Sequence, residues 1–196
     1  MLTEPYLAHF DELQVWATRT TIPWGEPLRV WPSFLASLAI RAFTFGRYGG
    51  RYSHIGIRKG NLIYEATERG VQENLAEAYN MPCRVVDAWR INVREVDESH
   101  ILTWLCEQLG SPYDFGQIVK IALDILGKGG VWSDWLGSEH RYICSELVAL
   151  AYMQVGVDIS CDEPLWLVTP DHIRLFAQRN TGRVIERGRV TFEKET

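Results

Sequence analysis

The sequence predicts one domain that mixes strands and helices, and three observations carry that prediction. The chain has 196 residues, 46% of them hydrophobic, enough for a single domain with a real core. Short apolar or alternating runs bounded by turn residues cluster between 52 and 93 and read as strands. Longer stretches with helical spacing of apolar residues follow from 97 onward.

In chain order, Phe10 to Ala17 reads as a short helix. Thr20 to Pro32 holds three prolines and two tryptophans and reads as extended or looped. Residues 33–45 read as a helix started by Pro32 or Ser33. That helix is apolar nearly all round, which fits a buried helix or, in a sharper reading, a helix touching a membrane surface. Gly46 to Gly50 is a flexible link. Tyr52 to Ile57 and Leu62 to Ala66 read as two strands of a hairpin around Arg58–Asn61. Val71 to Leu75 reads as a third strand. Cys83 to Val93 reads as one or two more, around Asp87. Asp97 to Leu109 is an amphipathic helix with Ile101, Leu105 and Leu109 on one face, stopped by Gly110. Phe115 to Leu126 reads as a helix, and 127–140 as a loop presenting Trp132 and Trp135. A helix from Cys144 to Val155 stops at Gly156. Another covers 170–179, with Thr169 as its cap and Pro170 in first place. Arg183 to Phe192 closes the chain as a strand or hairpin around Gly188.

Composition excludes several function classes. The formal net charge is −5 and the basic residues are scattered, which argues against a nucleic-acid surface. No apolar run reaches the roughly 18 residues that a membrane-spanning helix needs, so no integral membrane segment is expected. Residues 1–12 carry acids and no apolar core, unlike a signal peptide, so the chain is expected to be cytoplasmic as synthesised. The cysteines are Cys83, Cys106, Cys144 and Cys161. None is spaced as in C-x-x-C, and a chain this long does not need disulfides, so reduced thiols are expected. No metal or cofactor is expected.

The chemistry concentrates at Cys144. A thiol in the first turn of a helix faces unpaired backbone N–H groups and the positive end of the helix dipole. Both favour thiolate over thiol and make the sulfur a nucleophile. Taken alone, a cysteine is more often a small buried hydrophobe. A nucleophile also needs a base, and the base needs an orienting partner. The hairpin offers both. If Lys59–Gly60 forms a two-residue turn, or Ile57 and Leu62 close a four-residue loop, His54 stands directly opposite Glu65. The two would share a face about 5 Å apart at Cβ. A three-residue loop would break that pairing. His54 by itself reads equally as an edge-strand histidine, Glu65 as a solvated carboxylate and Tyr64 as core.

Ser53-His54-Ile-Gly-Ile, Tyr64-Glu65-Ala66, Leu109-Gly110-Ser-Pro112-Tyr113 and Tyr142-Ile-Cys144-Ser145-Glu146-Leu-Val together resemble the circularly permuted NlpC-type papain-like proteins, the YiiX/YebB-like group above all. The resemblance covers about 50–170. In unpermuted relatives the cysteine helix comes first; here the histidine hairpin precedes it, as in the permuted branch. The resemblance implies a papain-like α+β fold over the single domain 1–196, with the cysteine helix on an antiparallel sheet. It implies Cys144 as nucleophile, His54 as base and Glu65 as orienting group. Tyr113 matches a Pro-Tyr motif near the cleft, where its hydroxyl could donate to an oxyanion; the bland reading is packing. Trp132, Trp135 and Ser145 are candidate substrate-binding residues. The implied activity is hydrolysis of an amide in a peptide or cell-wall-derived peptide through a thioester. The alternative is hydrolysis or transfer of an acyl group on a lipid ester with the same three residues.

Overall fold

The computed structural model of the chain describes residues 11–21, 41, 50–81, 83–114, 116 and 141–190. The helices expected at 33–45 and 115–126, and the loop carrying Trp132 and Trp135, lie outside the described residues apart from Arg41 and Gly116. Within them the architecture is α+β. One six-stranded sheet runs in the order β4–β3–β2–β1–β5–β6, every neighbouring pair antiparallel. The strands are β1 (Gln14–Thr20), β2 (His54–Lys59), β3 (Leu62–Thr67), β4 (Gly70–Leu75), β5 (Arg84–Ile91) and β6 (Val184–Val190). The α-helices are α1 (Glu95–Glu107), α2 (Cys144–Met153) and α3 (His172–Arg179).

The first strand corrects the expected helix at Phe10–Ala17. Residues 14–17 are strand, and β1 pairs with β2 on one side and β5 on the other. Gln14, Val15, Trp16 and Ala17 are all fully buried. A central strand covered on both faces loses the alternation that marks a half-buried one, so its apolar run passes for a helix. Gln14 accepts the Trp16 indole N–H at 3.0 Å, which satisfies two buried polar groups at once.

The two faces of the sheet feed two apolar clusters. Val15, Ala17, Ile55, Ile57, Tyr64, Trp89 and Ile91 join Leu147, Val148, Ala151 and Tyr152 of α2 in the larger one. Each fully buried aliphatic side chain there contributes about 1.5–3 kcal/mol. Trp16, Ile63, Ala76, Tyr79, Val86, Ala88 and Val190 form the second cluster. The 83–93 region is one strand, β5; opposite its Ala88/Trp89 step β6 carries one extra residue, Arg187, beside Gly188. Gly188 has a φ of 82° there, a conformation open to glycine at little steric cost.

The last helix starts later than expected. Its cap position is Asp171 rather than Thr169. The Asp171 carboxylate instead accepts the backbone N–H groups of Arg51 and Tyr52 at 3.0–3.4 Å, so a tertiary tie displaces the local cap. Thr169 donates its N–H to Nδ1 of His172 at 2.9 Å. Among the described residues no helix is long and apolar enough to cross a membrane.

Candidate active site

The site forms where the N-terminus of α2 meets the first residue of β2. Tyr142 and Ile143 enter α2 in extended conformation. Tyr142 is held in a parallel bridge to Tyr113, through Tyr142 N–H to the Pro112 carbonyl at 3.2 Å and Asp114 N–H to the Tyr142 carbonyl at 3.1 Å. That bridge fixes where the helix begins and sets Cys144 in its first position. The Pro112–Asp114 segment is itself tied to β4. Val71 donates to the Ser111 carbonyl and Gly110 to the Val71 carbonyl, both at 2.8 Å. Cys144 is 6% exposed. All four cysteines are free thiols.

The hairpin register differs from the expected one. Lys59 pairs with Leu62, Arg58 with Ile63 and Ile57 with Tyr64, so the two-residue turn is Gly60–Asn61, with Gly60 at φ 60°. Continued outward, that register sets Gly56 opposite Glu65, and His54 reaches Glu65 along a diagonal rather than straight across. A shift of two residues keeps both side chains on their original face, and diagonal neighbours remain within reach of long side chains. The missing side chain at Gly56 leaves the necessary room: a Cβ there would lie 3.0 Å from Cγ2 of Ile63 and 3.3 Å from Cβ of Glu65.

His54 Nε2 is hydrogen-bonded to Oε2 of Glu65, and Cys144 lies close enough to the imidazole to act on its charge state. Burial alone pulls the ring toward its neutral form. The charge and hydrogen bond of Cys144, followed by those of Glu65, outweigh burial and raise the His54 pKa to about 10. The ring is 25% exposed and the Glu65 side chain 7%.

Two further residues hold the carboxylate, and the sequence offered neither. Tyr79 donates its hydroxyl to Oε2 of Glu65 at 2.6 Å, and Asn74 donates its amide to Oε1 at 2.8 Å. Burial would raise the Glu65 pKa. The hydrogen bond and charge of His54, then the donors Tyr79 and Asn74, lower it to about 2. Burial and then the neighbouring Glu65 push the Tyr79 hydroxyl well above its ordinary value, so it stays a donor. The alternation of β4 signals Asn74, which shares a face with Glu65 once the β3–β4 register is known. Tyr79 sits in the 3-10 turn Ala76–Tyr79, and no spacing in the sequence points to it.

Tyr113 lies close enough to Cys144 that the sulfur's charge, after burial, helps push the phenol well above its usual range. Tyr64 is 7% exposed in the core. Ser145 turns away from the cleft: it is 2% exposed, and its hydroxyl donates to the Val168 carbonyl at 2.6 Å. It anchors the approach to α3. Trp132 and Trp135 lie outside the described residues. Among the described residues no three His, Cys, Asp or Glu side chains gather as a metal site requires. Chemically, the cluster is an imidazole hydrogen-bonded to an ionised carboxylate, beside a thiol at a helix start, with the imidazole biased toward its cationic form. Compared with family models and with curated proteins, the chain finds no match.

Proposed function

We propose that the chain is a cysteine hydrolase that cleaves an amide, in a peptide or cell-wall-derived peptide, through a thioester intermediate. One observation carries this reading: the His54 imidazole is hydrogen-bonded to the buried carboxylate Glu65 and stands near enough to Cys144, at a helix N-terminus, to feel its charge. The order of parts, a histidine hairpin before a cysteine helix on an antiparallel sheet, supports a papain-like fold of the circularly permuted NlpC type.

In the proposed reaction the Cys144 thiolate adds to the amide carbonyl. The carbonyl π pair moves onto oxygen, where the backbone N–H of Cys144 and the Tyr113 hydroxyl are the candidate donors. His54, protonated and oriented by Glu65, gives its proton to the leaving nitrogen as the C–N bond breaks. A thioester and a free amine result. Water then adds to the thioester with His54 taking its proton, the C–S bond breaks, and the acid and the thiolate–imidazolium pair are restored.

The test assays the full chain on muropeptides and, separately, on acyl esters, with Cys144→Ala as the blank. Release of amine from muropeptides is expected, lost in the variant, with a trapped acyl mass on Cys144. Turnover of esters alone rejects the amide reading. Turnover retained by Cys144→Ala rejects the nucleophile.

A further inference from the structure

A cavity stands apart from the Cys144 cluster. It has a volume of about 380 Å³ and lies between α3 and the β5–β6 edge of the sheet. Arg51, Arg174, Tyr52, Trp89 and Glu186 are among its lining residues, and none of Cys144, His54 or Glu65 is. That size falls in the range of small-molecule sites, roughly 300–1,000 Å³.

Its charge runs against that of the chain. Arg19, Arg51 and Arg189 crowd one another around the single carboxylate of Asp87. That carboxylate is already divided among Arg51 at 3.3 Å, Arg189 at 3.3 Å and the Tyr52 hydroxyl at 2.8 Å. Arg174 and Arg41 act on the second buried acid, Asp171, which is occupied by the N–H groups of Arg51 and Tyr52. Glu186, opposite Trp89 on β6, adds one acid on the wall. Among the described residues the cavity wall itself carries two guanidiniums, Arg51 and Arg174, against one carboxylate, Glu186, in a chain of net charge −5. Among the described residues the buried Nε of Arg51 has no hydrogen-bond partner, and its guanidinium stacks 5.5 Å from the Tyr52 ring centre. A planar guanidinium that shares a cavity wall with a second one suits an oxyanion.

We propose that this cavity binds a small ligand with an oxyanion head, carboxylate or phosphate, on an apolar ring-like body. The head meets Arg51 and Arg174, and the body lies along Tyr52 and Trp89. The site does not depend on the amide-hydrolase reading, because the cavity and the Cys144 cluster share no lining side chain.

The test follows backbone amide shifts of the full-length protein at low salt during titration with benzoate, phenyl phosphate and, as the uncharged control, benzyl alcohol. At least one of the two anions should saturate with shifts centred on α3, and the tighter one names the head group. Benzyl alcohol should bind at least about tenfold more weakly. Arg174→Gln should weaken the anion about 10- to 100-fold, the worth of one charge-assisted hydrogen bond, while its melting temperature stays close to that of the parent. Arg51→Gln should do the same; if that variant unfolds, Arg174→Gln still decides. Absence of saturation by both anions overturns the proposal, as does unchanged affinity in Arg174→Gln or equal binding of benzyl alcohol.

Discussion

Removing one oxygen atom, in Tyr79→Phe, isolates what the second donor does for the buried carboxylate. The Tyr79 ring stacks edge-on to Trp16 at 5.8 Å and lies 4.9 Å beneath the Arg84 guanidinium, and phenylalanine keeps both contacts. Only the 2.6 Å bond to Glu65 is lost. A hydrogen bond to an ionised, buried carboxylate is worth about 1.5–3 kcal/mol, so the variant should lose about that much at neutral pH. The same loss should raise the Glu65 pKa by about one to two units from its folded value near 2. The sign of the pH dependence follows. Glu65 is lowered from 4.5 to about 2, so its contribution is complete above pH 4.5 and is lost as pH falls toward 2. The gap between parent and variant should therefore be widest near neutrality and shrink through that acid window. Urea denaturation at several pH values, repeated in a Glu65→Gln background, measures it. The reasoning fails if the loss at neutral pH is under about 0.5 kcal/mol. It also fails if the loss is the same at neutral and acid pH, or is undiminished when Glu65 is already Gln.

Three other outcomes are expected. Iodoacetamide at neutral pH should modify Cys144 before Cys106, although Cys144 is buried and Cys106 exposed; peptide mass mapping that finds Cys106 far ahead would remove the activated thiol. The His54 ring, raised from 6.5 to about 10, lends stability that is whole below pH 6.5 and is lost as pH rises through 10. Its proton titration by NMR should fall back toward 6.5 in Cys144→Ala, and an unmoved titration would separate the two residues. Gly70→Ala should cost about 1–3 kcal/mol by denaturation. Gly70 has φ +98°, and a Cβ there would lie 2.5 Å from the Ser111 carbonyl, which leads into Tyr113. Gly110→Ala, at φ +85° with nothing within 4 Å, should cost less, and equal costs would mean that the Gly70–Ser111 approach is not tight.

What could be read ahead was local. The α2 start at Cys144, the stops at Gly110 and Gly156 and the strands flanking Gly60 follow from short-range propensity and periodicity. The carboxylate clamp was not legible in the same way. Asn74 needs the β3–β4 register before it can be placed, and Tyr79 comes from a short turn whose position no repeat announces.

The linear chain put His54 and Glu65 on one face of a hairpin for a two- or four-residue loop, and the observed slip by two residues kept them there, because side-chain parity survives an even shift. It also settled that Cys144 opens a helix. Only the assembled molecule decided that β1 is an inner strand, since burial on both sides erases the pattern that would reveal it. Assembly also decided that His54 meets Glu65 on a diagonal past Gly56, and that Asp171 serves Arg51 and Tyr52 instead of capping by Thr169. Each of these outcomes rests on a partner far away in sequence, and local propensity carries no information about such partners.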